Sequence, residues 1–238
     1  MYYEDDLAYI HDVGFGQFAQ DAGTFLLQQF RSADITDGLV VDVGCGSGIW
    51  ARRLLDAGYD VHGIDIASGM LRIARRRAPA ARFVRGSLYE AKIPECRAVT
   101  CNGEIINYTA CGRVTWAMRC RFFRRVYHAL LPGGIFALDF ATPGRTGRDG
   151  QHERIFEGDD WLLTLKCREV RRRLTREMTI FRQQGRHYRR VDECHELDLL
   201  DPAKVIAELR AQGFRVRRVK KYHKKEFPAG YTALLARK

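Results

Sequence analysis

The sequence predicts an α/β fold, in which a doubly wound, mostly parallel β-sheet is covered by helices on both faces and carries an antiparallel β insertion. Three observations predict it. Short apolar segments alternate with helical patterns from about residue 17 to 141, and repeated strand–helix–strand units are typical of parallel sheets. A glycine-rich loop follows the first strand. After Pro143 and Gly144 the helical patterns stop and strand patterns follow one another directly.

Five strands and three helices are predicted before that change. Apolar segments of strand character predict strands over residues 39–43, 61–65, 82–84, 98–101 and 135–140. Helical periodicity predicts helices over residues 49–57, 70–77 and 116–131. Pro132 and the two glycines after it predict the end of the third helix. The nearly continuous apolar character of the first and fifth strands indicates burial on both faces of the sheet.

The remaining residues predict a β meander and a return to the core sheet. Strands are predicted over residues 161–166, 174–181 and 188–197, with turns between them. Asp201 as N-cap and Pro202 at the first helical position predict a helix that ends at Gly213. Strands over residues 214–222 and 231–236 close the chain. We therefore expect a core over residues 1–143, an insertion over 144–200 and a completion of the core over 201–238.

The composition is that of a globular protein, and the charge is unevenly distributed. The 238 residues carry a net charge of +11, but the first 66 hold three Lys and Arg against 11 Asp and Glu. A basic majority can attract nucleic acid. The excess of arginine, 32 against eight lysines, is equally explained by compositional bias.

The cysteines and the apolar segments predict a cytoplasmic location. No uncharged apolar segment reaches about 18 residues, and the acidic N-terminus lacks signal-peptide character. The seven cysteines are never spaced as Cys-x-x-Cys. We expect buried, reduced thiols, without a disulfide framework or a metal site.

The glycine-rich loop contains Gly44, Gly46 and Gly48, directly after the strand 39–43. Alternate glycines let the backbone turn sharply and let a ligand approach main-chain atoms. The helix that follows offers unpaired N–H groups, and open α/β sheets bind small molecules at this position. Ile49 stands where a dinucleotide-binding motif has its third glycine, which argues against NAD.

Two carboxylates accompany the loop. Asp65 ends the second strand, 17 residues after Gly48, where its two oxygens match a ribose diol. The alternative is a cap for the helix that starts near Ser68. Asp42 lies within an apolar strand, and burial of an unpartnered carboxylate is costly. We therefore expect Asp42 to face the loop and to bind polar groups of the ligand.

These residues resemble those of the class I S-adenosylmethionine-dependent methyltransferases. Residues 41–48 look like the first motif of that family and residues 63–70 like the second. Residues 83–88 match the segment whose end contacts adenine, and residues 130–135 resemble the helix end before the fifth strand. The resemblance covers residues 39–141 in order. It implies a seven-stranded, Rossmann-like sheet and S-adenosyl-L-methionine as the cofactor.

The resemblance also implies cofactor contacts. The loop would contact the methionine part, Asp65 the ribose, and Ser87 and Leu88 the adenine. Asn102 is a separate candidate for the methionine amino group, because it follows the fourth strand beside the reactive end of the cofactor; the alternative is a turn or packing role. The family often has an acidic residue where Ser87 stands. The expected cofactor-binding residues are Tyr9, Asp42, Gly44, Cys45, Gly46, Gly48, Asp65, Ile66, Ser87, Leu88 and Asn102.

Methyl transfer from a sulfonium requires alignment, exclusion of water and, for some acceptors, removal of a proton. Glu104 is a candidate base after the fourth strand, and Tyr108 a candidate wall of the acceptor pocket. Strand alternation places His195 on one face with Glu193, as a second candidate base. The alternatives are turn or packing roles for Glu104 and Tyr108, and a solvated strand face for His195.

The N-terminal residues 7–18 are aromatic and interrupted by glycines. We expect them to form a lid, with Tyr9 or Phe15 over the cofactor, because closing lids exclude water. The alternative is an amphipathic cap on the sheet edge. The insertion resembles in layout that of small bacterial metabolite methyltransferases, including amino-sugar N-methyltransferases, where an antiparallel layer covers the acceptor site and can form a homodimer.

The predicted function is methyl transfer from S-adenosyl-L-methionine to a small-molecule acceptor by in-line displacement. Two alternatives remain open. One is an RNA methyltransferase that uses the arginines of residues 168–190 and the basic residues 215–221 as a phosphate track. The other is a cofactor-binding module without turnover. The sequence lacks an Asn/Asp-Pro-Pro-aromatic signature and a Pro-Cys pair, so base methylation of those two kinds is not expected.

Overall fold

The computed structural model describes residues 2–109, 112, 114–222 and 226–238. The helices are α1 (Asp5–Gly14), α2 (Gln17–Arg31), α3 (Ile49–Asp56), α4 (Ser68–Arg77), α5 (Trp116–Ala129) and α6 (Pro202–Ala211), with a 3₁₀ turn at Ile105–Asn107. The strands are β1 (Leu39–Val43), β2 (Asp60–Asp65), β3 (Arg82–Arg85), β4 (Cys96–Cys101), β5 (Leu130–Ala141), β6 (Gln151–Gly158), β7 (Trp161–Val170), β8 (Arg173–Gln184), β9 (His187–Asp198), β10 (Arg215–Val219) and β11 (Tyr231–Arg237). No helix within these ranges has the length and apolar character needed to cross a membrane.

The larger sheet has seven strands in the order β10-β11-β5-β4-β1-β2-β3. Strands β1 to β5 are parallel, whereas β11 is antiparallel to β5 and β10 to β11. The predicted fold class is thus confirmed. The strand order reverses direction between β1 and β4, which opens a crevice at their carboxyl ends. This crevice is where the glycine-rich loop and the end of β4 meet.

Two apolar clusters cover the two faces of the larger sheet. Because successive side chains of a strand point to opposite faces, Val41 of β1 joins a cluster with Phe122 and Phe136, and Val40 joins a second one with Leu26. All five side chains are at most 1% exposed. Burial on both faces fixes the register of β1 and therefore the position of the loop that follows it.

The second sheet consists of β6, β7, β8 and β9 in antiparallel order. All four strands lie within the predicted insertion, residues 144–200. Strand β6 was not predicted, because its sequence, QHERIFEG, is mostly polar and exposed and shows no alternation of apolar and polar residues. Residues 151–158 form a strand because they pair with β7 over eight residues.

The start of β5 differs from the prediction. The helix expected to reach residue 131 ends at Ala129, and β5 begins at Leu130. Leu130 pairs with Cys96 of β4. Residues 130 and 131 therefore belong to the sheet, although helical periodicity alone assigns them to the helix. Gly133 then adopts a φ of 79°, which only glycine accommodates without strain.

The six described cysteines are free thiols, and Cys111 lies outside the described residues. Cys45, Cys96, Cys101 and Cys167 are buried. Cys194, in contrast, is exposed and Cys120 is half-buried. The expectation of uniformly buried thiols is therefore wrong for Cys194, because alternation along β9 turns it to the outer face of the second sheet.

Helix α6 begins as predicted, with Asp201 as its N-cap. The Asp201 carboxylate accepts the Ala203 N–H at 2.9 Å, and its ion pair with Arg172 is long and exposed. We expect Asp201→Ala to lower the free energy of unfolding by about 1 kcal/mol, the usual effect of losing an N-cap. Urea unfolding measures it. Asp201→Ser keeps an acceptor and should remain near wild type; an equal loss in both variants would contradict the capping role.

Candidate active site

One cavity of about 830 Å³ lies between the carboxyl ends of the parallel strands and the second sheet. At one end it is lined by the glycine-rich loop, Asp65 and Ser87. At the other end it is lined by Tyr108, Arg176 and His195. The predicted cofactor loop and the insertion therefore face the same continuous space.

The glycine-rich loop has a backbone conformation that favours glycine. Gly44, Gly46 and Gly48 have φ values of 76°, 52° and 77°, in the left-handed region. A Cβ on Gly44 would collide with Ile105, whereas a Cβ on Gly46 would meet nothing within 4 Å. Bare main chain at Gly46 thus faces open space. Gly48 packs against Ala74 of α4 and does not line the cavity, so its role is in the turn.

Asp65 joins the glycine-rich loop to the start of α4. Its Oδ2 accepts the Gly46 N–H and its Oδ1 the Ala67 N–H, both at 2.8 Å. Burial raises the pKa of this carboxyl, although the two N–H groups act in the opposite direction. Each oxygen keeps a second lone pair for a ligand in the cavity. The bond to Ala67, just before α4, also fits the helix-capping alternative, and the two roles are compatible.

Asp42 is buried at the end of a hydrogen-bond chain. The Trp50 indole N–H donates to the Thr100 hydroxyl at 3.2 Å, and that hydroxyl donates to Asp42 at 2.7 Å. Burial raises the pKa of the Asp42 carboxyl to about 7; the Thr100 bond lowers it and the charge of Asp65 raises it further. Asp42 lines the cavity beside the loop, where its charge is sensitive to what binds.

The other residues expected to bind the cofactor lie around the same end, with one exception. The cavity lining includes Cys45, Ile66, Ser87, Leu88 and Asn102.

The exception is Tyr9, and the structure corrects it. Its hydroxyl donates to Asp160 at 3.3 Å, and the Arg182 guanidinium lies 3.4 Å from its ring centroid. Leu7, His11 and Phe15 of the same segment line the cavity instead. Residues four apart share a helix face, and Tyr9 falls on the opposite one. Helix α1 thus covers the cavity, but not through Tyr9.

The extreme N-terminus completes the cavity wall. The Glu193 carboxylate accepts the backbone N–H groups of Tyr3 and Glu4 at 2.8 and 2.9 Å. The Tyr2 hydroxyl accepts the Glu196 N–H at 2.9 Å. Tyr2 and Tyr3 therefore line the cavity, a contact across more than 180 residues that no local pattern could indicate.

His195 is held by the same carboxylate. It is 1% exposed, and its Nε2 lies 2.8 Å from Glu193 Oε2. The burial pattern of β9 agrees with the predicted alternation, and the alternative of a solvated face is wrong. The Tyr2 ring lies over the imidazole, with centroids 4.2 Å apart. A histidine oriented by a carboxylate and facing a cavity has the arrangement of a general base.

Glu104 has a different environment from the one expected of a base. It is 5% exposed, and its carboxylate accepts from Arg145 Nε at 2.7 Å and from Arg176 Nη2. Burial raises the pKa of the Glu104 carboxyl, but the charges of Arg176 and Arg145 outweigh it and lower the pKa below the ordinary value. An ionised, doubly paired carboxylate is a weak base. The structure therefore corrects the catalytic role expected for Glu104 to that of an anchor.

Tyr108 lines the cavity beside this ion-pair group. Its hydroxyl lies 3.0 Å from the Tyr3 hydroxyl and accepts from Arg176 Nη1 at 3.4 Å. Burial raises the pKa of the Tyr108 phenol against the effect of Arg176. The phenol therefore stays protonated near neutral pH and acts as a polar wall.

Several lining residues were missed from the sequence. Arg176 could have been placed by the alternation of its predicted strand, since Leu174 and Met178 are buried beside it. Arg145 lies in a glycine- and arginine-rich stretch without periodicity. The buried Nδ1 of His11 has no hydrogen-bond partner among the described residues, and burial lowers the pKa of this histidine to about 4. His11 is thus neutral near pH 7.

Comparisons with known proteins agree with this site. Residues 40–134 match a family model described as a methyltransferase domain. A malonyl-[acyl-carrier protein] O-methyltransferase from Serratia marcescens is 26% identical over 120 residues, 50% of this chain and 45% of that protein. A dTDP-3-amino-3,6-dideoxy-alpha-D-glucopyranose N,N-dimethyltransferase from Streptomyces fradiae is 33% identical over 101 residues, 42% of this chain and 38% of that protein. The matches thus span about half or less of these two relatives.

A solved structure extends the likeness to the whole chain. An amino pentose methyltransferase from Micromonospora echinaspora, with S-adenosylmethionine bound, superposes with a TM-score of 0.77 at 20% identity. The superposition covers 100% of this chain and 98% of that one. At this identity the likeness establishes the fold, including the second sheet. The predicted Rossmann-like sheet is confirmed, and the match to a methyltransferase domain agrees with the family resemblance over residues 40–134.

The raised pKa of Asp42 predicts a pH-dependent stability. The Asp42 carboxyl has a pKa of about 7 in the folded state and of 3.8 ordinarily. The folded state therefore loses stability relative to the unfolded state as the pH rises from 3.8 to about 7. Asp42→Asn keeps the acceptor for Thr100 and does not ionise. Between pH 5 and pH 8, we expect the stability of this variant relative to wild type to rise by about 2 to 3 kcal/mol.

Urea unfolding of both proteins at the two pH values measures this difference. Asp60→Asn is the control, because Asp60 is exposed at the opposite end of β2. A constant difference between Asp42→Asn and wild type would show that Asp42 is already ionised at pH 5.

Proposed function

Because residues 40–134 match a family model described as a methyltransferase domain, we propose that this protein is a class I, S-adenosylmethionine-dependent enzyme that transfers a methyl group from S-adenosyl-L-methionine to a small-molecule acceptor. One observation carries the proposal. A single cavity joins the glycine-rich loop and Asp65 to the polar side chains of the second sheet. A donor and an acceptor bound at its two ends would meet inside the protein.

The residues at the loop end fit the cofactor. Gly46 presents main chain without a neighbouring side chain within reach of a Cβ, so the methionine part can lie against it. Asp65 would accept the ribose hydroxyls, with Ser87 and Leu88 at the adenine. Asn102 lies beside Tyr222, whose hydroxyl is 3.3 Å from the Asn102 side-chain oxygen and donates to Asp139 Oδ2 at 3.0 Å. S-adenosyl-L-methionine supplies a methyl group that the positive sulfur has already activated.

The protein contributes alignment and exclusion of water. Helix α1 and the first residues of the chain cover the cavity, and Glu193 fixes them through two backbone N–H groups. This supports the lid role expected for the N-terminal segment, with Phe15 and not Tyr9 in contact with the cavity. A covered site keeps solvent from the reacting atoms.

For an acceptor that carries a proton, His195 is the proposed base. Its Nε2–H would stay with Glu193, so the proton from the acceptor would go to Nδ1. The Glu193 carboxylate would stabilise the imidazolium that results. Tyr108 would orient the acceptor through its hydroxyl. Glu104 acts by holding Arg145 and Arg176 in place.

The arginines of the insertion support a small-molecule acceptor over RNA. Several that a phosphate track would need are engaged within the protein. The ion pairs are Arg173 with Glu196 and Asp198, Arg182 with Asp160, Arg189 with Asp6, and Arg190 with Asp192. One similar protein is named an O-methyltransferase and another an N,N-dimethyltransferase, so the proposal stops at a small molecule.

Location and assembly complete the proposal. The free thiols of the described cysteines fit a reducing compartment, and we place the enzyme in the cytoplasm. The outer face of the second sheet exposes Ile155, Val170 and Tyr188 by 70%, 53% and 63%. These side chains lie apart on that face, with Thr164, Thr179 and Asp192 between them, so the homodimer through the insertion stays a prediction.

The cofactor site is tested by Asp65→Ala. Loss of charge-assisted hydrogen bonds to the ribose should weaken binding of S-adenosylmethionine and of its demethylated product by about 2 to 3 kcal/mol. Calorimetry measures both affinities. Asp60→Ala, at the other end of β2, is the matched control and should bind like wild type. Unchanged affinity in Asp65→Ala would remove the assignment.

The acceptor class is tested with S-adenosylmethionine labelled in its methyl group. We expect the wild-type enzyme to transfer label to molecules below about 1 kDa in a cell extract, because the site is enclosed. Purified total RNA should stay unlabelled. Asp65→Ala is the background control. Label in RNA, or in neither fraction above that background, would contradict the proposed acceptor class.

A further inference from the structure

Three arginines line the acceptor end of the cavity. Arg176 is on β8, and Arg145 is in the loop after β5. On β6, strand alternation turns His152, Arg154 and Phe156 towards the cavity and the residues between them away from it. The charged residues of three separate segments therefore meet at one place.

The charges at this end do not balance. The acidic residues that line the described part of the cavity are Asp42 and Asp65, at the glycine-rich loop, and Glu104. Among the lining residues, three guanidinium groups thus face the single carboxylate of Glu104. The Glu193 carboxylate, behind His195, is bonded to the backbone of Tyr3 and Glu4. The largest charge effects on the Glu104 carboxyl come from Arg176 and Arg145. The acceptor end keeps a positive charge.

The arginines also keep unused donors. Arg145 donates through Nε to Glu104, and within the described residues its two Nη groups have no hydrogen-bond partner. Arg154 has neither a hydrogen bond nor an ion pair within those residues, and it lies exposed on β6. A guanidinium has five N–H donors, so several remain for a ligand.

The histidine between them shows that these charges act together. His152 lines the cavity on β6. Burial lowers its pKa, and the charges of Arg154 and Arg145 lower it further, with a smaller effect from Arg176. All three guanidinium groups are therefore close enough to influence one imidazole.

We propose that the acceptor end of the cavity binds an anionic group, a phosphate or a carboxylate, through Arg154 and the free Nη groups of Arg145. The proposal deepens the proposed methyl transfer and rests on it. Guanidinium groups bind both anions through paired N–H donors, and a cavity of reduced polarity strengthens the attraction. Glu104 already holds Arg145 in position, so the Arg145 side chain loses little entropy when the anion binds. The acceptor is then a small molecule with a negative charge.

The test uses the full chain saturated with S-adenosylhomocysteine, so that the cofactor end is occupied. Inorganic pyrophosphate and succinate are titrated in by calorimetry, with glycerol as the neutral probe. We expect at least one anion to bind and glycerol to give no heat; the tighter anion distinguishes phosphate from carboxylate. Arg154→Gln should lower the affinity for the anion at least tenfold, as expected for the loss of a charge-assisted contact.

Arg168→Gln is the matched control. Arg168 is an exposed arginine of the same sheet, on the outer face of β7, and its loss should change the anion affinity less than twofold. Equal effects of the two variants, or no heat with either anion, would overturn the anionic acceptor. Binding of S-adenosylhomocysteine itself is measured first and should be equal in wild type and Arg154→Gln. No heat at that step would overturn the proposed cofactor, and titration of the unsaturated protein would then judge the arginine site alone.

Discussion

The site depends on one constraint: a carboxylate buried beside the cavity must have its hydrogen bonds supplied by the protein. Asp65 obtains them from the glycine-rich loop and the start of α4. Asp139 obtains them from the Gly103 and Glu104 N–H groups, at 2.7 and 2.8 Å. Glu104 binds an arginine of the insertion, and Glu193 binds the N-terminus. Each carboxylate thus fixes, through hydrogen bonds, a loop or chain segment that the packing of the apolar core does not position.

Ion pairs within the protein also account for the acidic charge of the N-terminal segment. The acidic N-terminal segment is paired with arginines of two different regions: Asp5 with Arg72 and Asp12 with Arg77 on α4, and Asp6 with Arg189 on β9. These pairs are partly exposed, so each adds little stability. Together they set the position of α1 between the core and the second sheet. The charge asymmetry therefore serves an internal contact, and a nucleic-acid partner is not needed to explain it.

What the sequence could predict was local. The strand 39–43, its glycine-rich loop and the N-cap at Asp201 each follow from residues within a few positions, and the structure has all three. What it could not predict depends on contacts between distant segments. The sequence presents Glu104 as a carboxylate that could act as a base. In the folded chain Arg145 and Arg176 form ion pairs with it, and these contacts make it an anchor. Strand β6 has no signal apart from its pairing with β7.

The distribution of charge along the cavity favours one ligand at each end. Asp42 and Asp65 stand at the loop end, where the proposed cofactor would be cationic at sulfur, and the arginines stand at the end built by the second sheet. Burial raises the pKa of both carboxyls, and a bound sulfonium would favour their ionised forms. In a site of reduced polarity, each ligand is attracted to one end and repelled from the other. The proposed anionic acceptor would then be drawn towards the positive methyl donor before any catalytic group acts. Alignment is most of what methyl transfer from a sulfonium requires, so under the proposed function this distribution of charge would contribute directly to the reaction.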